Sequence, residues 1–556
     1  MSKLFLTTLL ALLITYKIFG QAEVNESIIT LTKVYGVAKY YNNEKDDAHL
    51  DRLLLEILKK LKTPNYGHTQ LNNDIEVLLS EQLQQNSNLE QPIPFNQFSN
   101  DHFNVANFSW IDSTNLLTNK NKALLQALIH SHKKVSNSNI TKKEKAIYIH
   151  HEETSLESVS KSEEYILGII KFWNVINYFF PYKNLMDENW NSILEKNIDK
   201  IKSITSDENY ARVLNKLGAS LKDSHVDIID SRRDDYDVSK LPFQIINVGD
   251  KMVVKSINDS ISNLYSIKTG DIILKLDEKD YEELWDEFSE QVSFSTIQSG
   301  KEYFQTYLWH RFNYKNISIS VTFKSQTKIH NEVVQTIKLD EFLKYRPWVE
   351  QKGGFKSINI NIGYINFSSL SYSDLGKAIH ELKKKDFLII DCRGYNSGIV
   401  ALRFLNFIGN TKTPFAKAYF PNIEYPGVFN NPTLIKYNFL PKLSATYKGQ
   451  LLVLINAKAI SAMESTLMAI KTRRPNTIFI GTATAGTDGI KNLVILPGNV
   501  NVWFTGLDWR YANGKQFQRI GIQPNVLIQP SIDDIKNSKD PVLEKAIEYA
   551  NASSLN

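Results

Sequence analysis

The sequence predicts a multidomain α/β protein with helical N-terminal modules, a small β-rich domain and a C-terminal α/β domain. The chain has 556 residues, too many for one hydrophobic core, since domains average about 150 residues. From Ser357 onward, buried-strand runs alternate with amphipathic helices, which is typical of a layered fold with a mainly parallel sheet. Before that point, short strand-like runs occupy 240–325, and helical periodicity dominates 21–83 and 161–235.

Composition excludes several classes of partner and cofactor. Apolar residues make up 42% and charged residues 22%, as in ordinary globular proteins. The formal net charge is only +5 and the basic residues are scattered, so no nucleic acid partner is predicted. Cys392 is the single cysteine, which rules out an internal disulfide and a cysteine-built metal site. The close histidine pairs, His130 with His132 and His150 with His151, fall in polar sequence and are predicted to be surface residues, so no metal or organic cofactor is expected.

Residues 1–20 have the pattern of a secretory signal peptide. Lys3 precedes an apolar run over 4–14, which is shorter than the roughly 20 apolar residues that span a bilayer. Cleavage is predicted before Gln21. The mature chain is therefore expected to be exported, periplasmic or secreted, with no integral membrane segment.

Two helical stretches look like copies of one module. ITLTKVYGVAKYYN, from Ile29, aligns with LGIIKFWNVINYFF, from Leu167, and an amphipathic helix follows each. The predicted modules are 21–83 and 161–235, and the role of the first, in packing or in a homo-oligomer contact, is left open. Only the second ends in a Ser-His pair, Ser224-His225, followed by an alternating strand over 226–229.

Two further stretches surround the β-rich domain. Residues 84–160 are polar and are predicted to connect the two modules, with a short strand near 103–111. Residues 240–325 contain a hairpin that turns at Gly249-Asp250 and a Gly270-Asp271 strand start. This pattern resembles a PDZ domain, which adds an extended peptide to a sheet edge. A connector over 326–352, which can include strands, leads to the last domain, 353–556.

The segment 451–471 places Ser461 where a buried strand ends and a helix begins. Unpaired N–H groups at a helix N-terminus can stabilise an oxyanion, so this is a favourable position for a nucleophile. The alternative is that Ser461 is an N-cap and Glu464, three residues on, completes a capping box. Taken alone, the second interpretation is the commoner one.

Three strand ends in the C-terminal domain lead into polar or glycine-rich loops, after Asp391, Asn456 and Gly481. Active sites of parallel α/β folds lie at the carboxyl ends of strands. The loops are therefore predicted to converge.

The motifs of these loops occur in a characteristic order. DCRGYNSG from Asp391, the Ser461 segment, GTATAGTDG from Gly481 and QRIGIQPNVLIQPS from Gln518 follow one another, after Ser224-His225 and the PDZ-like insert. Together they resemble the serine peptidases of the C-terminal-processing and tricorn type, over roughly 163–550. The resemblance implies a crotonase-like, ββα-layered catalytic domain.

The resemblance implies roles for individual residues. Ser461 matches the nucleophile, the N–H of Ala462 one oxyanion donor, and Gly398 the second. The family usually has consecutive glycines before that second donor, whereas Asn396 and Ser397 stand here.

The general base separates the branches of this family. The processing branch uses a lysine in a Gly-Lys-Gly type turn, which here reads Ala485-Gly486-Thr487, with Lys491 four residues beyond the turn. The tricorn branch uses a histidine preceded by a serine, which Ser224-His225 matches. An imidazole with a pKa near 6.5 can take the serine proton at neutral pH and return it to the leaving amine.

The orienting acid of the tricorn branch is expected three residues before the glycine of the terminal motif. Gln518 stands there, and it can form hydrogen bonds but carries no charge. Ser224 and Gln518 are therefore expected to orient His225, with Asp508 a candidate for an acid supplied from elsewhere.

The predicted function is that of an exported serine peptidase that hydrolyses polypeptide substrates presented by the PDZ-like domain. One alternative is a non-catalytic peptide- or ligand-binding protein that retains the fold. Another keeps proteolysis but pairs Ser461 with Lys491.

Overall fold

The computed structural model describes most of the chain. The described residues are 22–41, 47–84, 103–104, 106–131, 140–143, 146–149, 159–230, 239–257, 262–310, 318–338, 354–368, 370–396, 398–409, 413–423, 425–430, 432–437 and 446–553. The predicted signal peptide, three of the paired histidines (His132, His150 and His151) and Ser397 lie outside them. His130 is exposed, as predicted.

The N-terminal part is mostly helical. Its helices are α1 (22–40), α2 (Asp47–Lys60), α3 (His68–Gln84), α4 (Trp110–Ser113), α5 (Asn119–Ser131), α6 (Lys161–Phe179), α7 (Trp190–Lys202) and α8 (Asp207–Ala219). Its strands are β1 (Phe103–Asn104), β2 (Ile140–Lys143), β3 (Ala146–Ile149) and β4 (Asp227–Asp230). The stretch expected to be a polar connector thus contains α4, α5 and three short strands. These elements are completed by contacts with distant parts of the chain, which local composition does not reveal.

The two predicted copies each fold into three successive helices, α1–α3 and α6–α8. Aligned residues also make matching contacts to the next helix. The Tyr35 hydroxyl donates to Asp51 Oδ1 at 2.6 Å. The Trp173 indole N–H donates to the carbonyl oxygen of Trp190 at 3.2 Å. In turn, the Trp190 indole N–H donates to the carbonyl oxygen of Trp173 at 3.0 Å. These contacts support the duplication, which remains a prediction.

The central domain is a five-stranded sheet with two helices. Its elements are β5 (Ser239–Lys240), β6 (Phe243–Val248), β7 (Lys251–Ile257), β8 (Ile272–Leu276), α9 (Tyr281–Ser289), α10 (Ile297–His310), β9 (Ser318–Ser325), β10 (Lys328–Gln335) and β11 (Ile337–Lys338). The sheet order is β10-β9-β8-β7-β6, and β6 and β7 form the predicted hairpin around Gly249-Asp250. The predicted boundary after residue 325 falls inside the β9–β10 hairpin, so the sheet extends into the expected connector.

The C-terminal domain has the predicted alternation. Its elements are β12 (Phe355–Ser357), β13 (Ile362–Asn366), α11 (Tyr372–Leu382), β14 (Phe387–Asp391), α12 (Gly398–Ile408), β15 (Ala416–Tyr419), β16 (Val428–Phe429), β17 (Thr433–Ile435), β18 (Gln450–Ile455), α13 (Ala462–Arg473), β19 (Ile478–Gly481), β20 (Lys491–Leu496), β21 (Val500–Thr505), β22 (Asp508–Tyr511), β23 (Val526–Leu527), α14 (Ile532–Lys536) and α15 (Pro541–Ser553). The main sheet has the order β12-β13-β14-β18-β19-β23, and all pairs after β12–β13 are parallel.

Side chains along the central strands alternate between two apolar layers. Leu451 and Val453 pack in the core that α11, α12 and α13 share, whereas Leu452 and Leu454 pack in the core that includes α15. The sheet is therefore covered on both faces, as parallel sheets require.

A second sheet joins the N-terminal part to the C-terminal domain, with the order β2-β3-β20-β21-β4. Strand β4 pairs with β21 antiparallel, and Asp227 lies opposite Trp503. Continued by two residues, this register brings His225 to Thr505 at the end of β21. Pairing between strands almost three hundred residues apart thus carries the Ser-His pair to the C-terminal domain.

Candidate active site

Three loops converge at the carboxyl edge of the main sheet, as predicted. The strands that precede them, β14, β18 and β19, are neighbours in the sheet. The N–H of Cys392 donates to the carbonyl oxygen of Leu454 at 3.0 Å, and the N–H of Ala485 donates to that of Ala459 at 3.0 Å. The loop after Gly481 is thus bonded to the segment that leads into Ser461.

Ser461 has a backbone conformation that non-glycine residues rarely adopt, with φ 57° and ψ −123°. Such strain costs on the order of 1–3 kcal/mol and is concentrated at functional sites. The side chain makes no capping hydrogen bond, although Ser461 immediately precedes α13, and the residue is partly exposed. The capping box of the alternative interpretation does not form.

Glu464 holds the neighbouring loop instead of completing a cap. Its buried carboxyl accepts the N–H groups of Gly486 at 2.8 Å and Thr487 at 2.9 Å, together with the Thr484 hydroxyl. Burial raises the pKa of Glu464 to about 8, and nearby Asp488 acts in the same direction.

Thr487 links the two halves of the site. Its carbonyl oxygen accepts the N–H of Ser461 at 2.9 Å, and its hydroxyl oxygen accepts the N–H of Ser224 at 3.3 Å. Ser461 and the Ser224-His225 pair therefore lie on either side of one residue, although they come from different domains.

The two expected oxyanion donors begin neighbouring helices. Ala462 is the first residue of α13, is partly exposed, and its N–H donates to no acceptor within the described part of the chain. Gly398 is the first residue of α12 and is exposed, with no atom within 4 Å of where a Cβ would lie. Both N-termini are therefore open for a ligand.

Arg393 braces the loop that leads to Gly398. Its guanidinium donates to both carboxylate oxygens of Asp391, at 2.9 and 2.7 Å, and to both of Asp540, at 2.8 and 2.6 Å. These two fork-like pairs raise the pKa of Arg393 and tie the loop to the start of α15.

His225 is buried at the edge of this site. Its Nδ1 lies 3.0 Å from the Thr505 hydroxyl oxygen. Burial lowers the pKa of His225 to about 4, and Asp223 opposes this shift while Lys491 adds to it. Among the described residues the Ser461 hydroxyl has no hydrogen-bond partner, so Ser461 and His225 are not hydrogen-bonded to each other. Catalytic hydrogen bonds often form only when substrate is bound.

Ser224 contacts the β-rich domain and not the imidazole. Its hydroxyl donates to the Ser299 hydroxyl oxygen at 3.2 Å and accepts the N–H of Ser295 at 2.9 Å. The Ser224 N–H also donates to the Ser295 hydroxyl oxygen at 2.9 Å. Ser295 lies between α9 and α10, and Ser299 lies in the first turn of α10, so three domains meet here.

Gln518 and Asp508 also differ from their expected arrangement. Gln518 is buried, and its Nε2 donates to Asp223 Oδ1 at 3.2 Å; no bond joins it to His225 in the described part of the chain. The Asp508 carboxylate accepts Arg510 Nε at 2.6 Å, so it is committed elsewhere.

Lys491, the alternative base, lies beside the site. It is the cross-strand partner of Thr505, and its ammonium stands 5.1 Å from the ring centre of Trp503. This contact is a cation–π interaction, which holds the ammonium over the ring.

Sequence reasoning missed two residues of this arrangement, Asp223 and Thr505. Asp223 directly precedes Ser224-His225, between an apolar helix and a strand. This position indicated that the carboxylate would be buried, and a buried carboxylate needs hydrogen-bond partners. Thr505 had no such signal, because only the β4–β21 pairing brings it close.

The described residues contain no group of three or more His, Cys, Asp or Glu side chains that could hold a metal ion. No described helix is long and apolar enough to cross a bilayer.

Residues 361–528 match peptidase family S41. Over 232 residues the chain is 24% identical to the tricorn protease of Thermoplasma volcanium, an alignment that covers 40% of this chain and 21% of that protein. The chain thus spans about a fifth of that relative's length.

Two solved structures share the fold. Mature CPAF complexed with lactacystin has a TM-score of 0.56 at 12% identity and covers 71% of this chain and 98% of its own. Mature CPAF alone gives a TM-score of 0.56 at 12% identity, with 70% and 96% covered.

Fold, motif order and family match agree on one class, because residues 361–528 carry a peptidase family S41 domain. The similarity to the tricorn protease agrees with the C-terminal-processing and tricorn type that the order of motifs predicted.

Proposed function

We propose that the protein hydrolyses peptide bonds in polypeptide substrates through an acyl-enzyme, with Ser461 as nucleophile and His225 as general base. The observation that carries this proposal is the convergence at Thr487, which bonds to the strained Ser461 backbone and to the turn that bears His225. A strained serine at a helix N-terminus, near a buried imidazole, is suited to acyl transfer.

The chemistry needs only groups of this chain and water. His225 Nε2 takes the proton of the Ser461 hydroxyl as the oxygen attacks the scissile carbonyl carbon. The N–H groups of Ala462 and Gly398 stabilise the resulting oxyanion. His225 then gives the proton to the leaving amine, and the same steps with water release the acyl group.

The β-rich domain would present the substrate as an added strand, in the manner of a PDZ domain. Its 293–299 segment supports this role, because Ser295 bonds to Ser224 and the Thr296 hydroxyl donates to the carbonyl oxygen of Ala485 at 3.2 Å. Peptide bound to this domain would thus be coupled to the loop beside Ser461. Export remains a proposal from the pattern of residues 1–20.

A second candidate function is peptide or ligand binding without catalysis. It is favoured by the neutral Gln518 at the position expected for an acid, and by the absence of a Ser461–His225 bond among the described contacts.

Turnover of an unfolded protein separates the two functions. The parent should cleave it, Ser461→Ala should not, and Ser373→Ala, at an exposed serine near the start of α11, should match the parent. Equal turnover by Ser461→Ala and the parent would refute the nucleophile. Retention of peptide by a parent that neither cleaves it nor reacts with a serine-directed phosphonate or lactacystin would establish the binding function.

A further inference from the structure

A continuous chain of buried hydrogen bonds runs from the His225 imidazole to a carboxylate. His225 Nδ1 lies 3.0 Å from Thr505 Oγ1, and Thr505 Oγ1 donates to Asp223 Oδ1 at 2.8 Å. The backbone closes the arrangement, because Asp223 Oδ2 accepts the N–H of Thr505 at 2.8 Å and Oδ1 accepts that of His225 at 3.2 Å.

The direction of these bonds follows from the number of protons available. A threonine hydroxyl has one proton to donate, and the carboxylate, which can only accept, takes it. The hydroxyl lone pair must then accept from His225 Nδ1. This assigns the Nδ1–H tautomer and leaves Nε2 free to receive a proton.

We propose that Asp223, acting through the Thr505 hydroxyl, is the acid that orients and stabilises the His225 base. It takes the role that was expected from the sequence for Ser224 and Gln518. The inference rests on the proposed function, since it names positioning residues for that reaction. When Nε2 takes the Ser461 proton, the imidazolium keeps its Nδ1–H bond to Thr505 and the hydroxyl keeps its bond to Asp223. No proton needs to reach the carboxylate.

Gln518 has the complementary role. Its side chain is 1% exposed, and Nε2 donates to Asp223 Oδ1 at 3.2 Å. A glutamate at this position would place two carboxylates in contact, and one of them would have to hold a proton. A neutral amide that donates a hydrogen bond is therefore the side chain that suits position 518 when Asp223 is the acid.

The charged groups around His225 agree with this assignment. Burial lowers the pKa of His225 most, Asp223 opposes this shift by favouring the protonated imidazole, and the Lys491 ammonium lowers the pKa further. Asp223 is the acid that favours the imidazolium, and its buried position preserves the strength of that attraction.

Variants of Thr505 and Gln518 test the proposal without removing Asp223, which also accepts two backbone N–H groups. Thr505→Val keeps the shape of the side chain and loses the hydroxyl, whereas Thr505→Ser keeps the hydroxyl. Each variant is assayed for kcat and KM on a peptide and for phosphonate labelling of Ser461, with Ser461→Ala as the blank and thermal melting to verify the fold.

We expect Thr505→Val to lower kcat by about 10³-fold with little change in KM, because the wrong tautomer is costly in serine peptidases. Thr505→Ser should stay within about tenfold of the parent. Gln518→Glu should lower kcat, because a second carboxylate disturbs Asp223. If Thr505→Val fails to fold, the kcat of Gln518→Glu still tests the role of Asp223.

Two results would overturn the proposal: equal kcat for Thr505→Val and Thr505→Ser, or a kcat for Gln518→Glu above that of the parent. Either would leave the proposed function intact, provided that Ser461 of the parent is labelled. An unlabelled parent with the same turnover as Ser461→Ala would instead refute the proposed function.

Discussion

The backbone N–H of Ser461 donates to the carbonyl oxygen of Thr487 at 2.9 Å, which fixes the serine to the loop after β19. The same threonine accepts a bond from Ser224, and its own N–H is held by Glu464. A single loop residue thus determines the relative positions of the proposed nucleophile and base. Changes in what holds this loop should affect both stability and activity.

Glu464 is the main support of that loop. Glu464→Ala leaves the buried N–H groups of Gly486 and Thr487 without their acceptor, and each costs about 1–3 kcal/mol. We expect the free energy of unfolding to fall by about 3 kcal/mol, with a smaller loss for Glu464→Gln. Urea unfolding of the three proteins measures this, and an alanine variant as stable as the parent would contradict it.

Stability should fall as pH rises from 4.5 to about 8 because of the same carboxyl. Burial raises the pKa of Glu464 from 4.5 to about 8, so the folded state keeps a proton that the unfolded state releases. That contribution is complete below pH 4.5 and is lost as pH rises to about 8.

Between pH 6.5 and 8 a comparison with Glu464→Gln isolates the part of this decline that is due to Glu464, because Asp488, whose pKa burial raises to about 7, is present in both proteins. His225 acts at lower pH. The lowered pKa of His225 contributes stability that is lost only as pH falls from 6.5 through about 4. Over the upper window, the urea midpoint should decline more steeply for the parent than for Glu464→Gln. Parallel declines would show that Glu464 does not titrate there.

The identity of the base is tested by two single variants. His225→Ala should lower kcat nearly to the level of Ser461→Ala, because the proton of the nucleophile then has no acceptor. Lys491→Ala should change kcat little, since its ammonium stands over the Trp503 ring. Steady-state kinetics on one peptide compare them; the reverse order of effects would assign the base to Lys491.

The Arg393 brace should be important for stability. Arg393→Ala leaves the Asp391 carboxylate buried without its partner, which we expect to cost about 3 kcal/mol. Arg393→Lys keeps the charge but loses the fork, so its loss should be smaller. Chemical denaturation gives both values, and an unchanged midpoint for the alanine variant would contradict a bracing role.

Much of the fold could be predicted from periodicity, because buried strands and amphipathic helices leave local patterns. The alternation after Ser357 correctly gave the parallel sheet and the edge where its loops meet. The short strand near 103 was predicted, whereas the helices and strands of 110–149 were missed, since β3 is completed by β20, more than three hundred residues away.

The site was predictable only where a motif lies in one stretch of chain. Ser461 and His225 stood in such stretches, and the capping box was a reasonable local alternative. It does not form because Glu464 binds a loop that tertiary structure brings to it. Thr505 could not be found locally, as its contact with His225 depends on the register of two distant strands.

The most direct test of the account is the site and rate of reaction with a serine-directed phosphonate, followed by mass spectrometry of the modified peptide. The account predicts a single adduct on Ser461 in the parent, at a rate that falls steeply in His225→Ala, and no adduct in Ser461→Ala. An adduct on another residue, or equal labelling of Ser461 with and without His225, would contradict it.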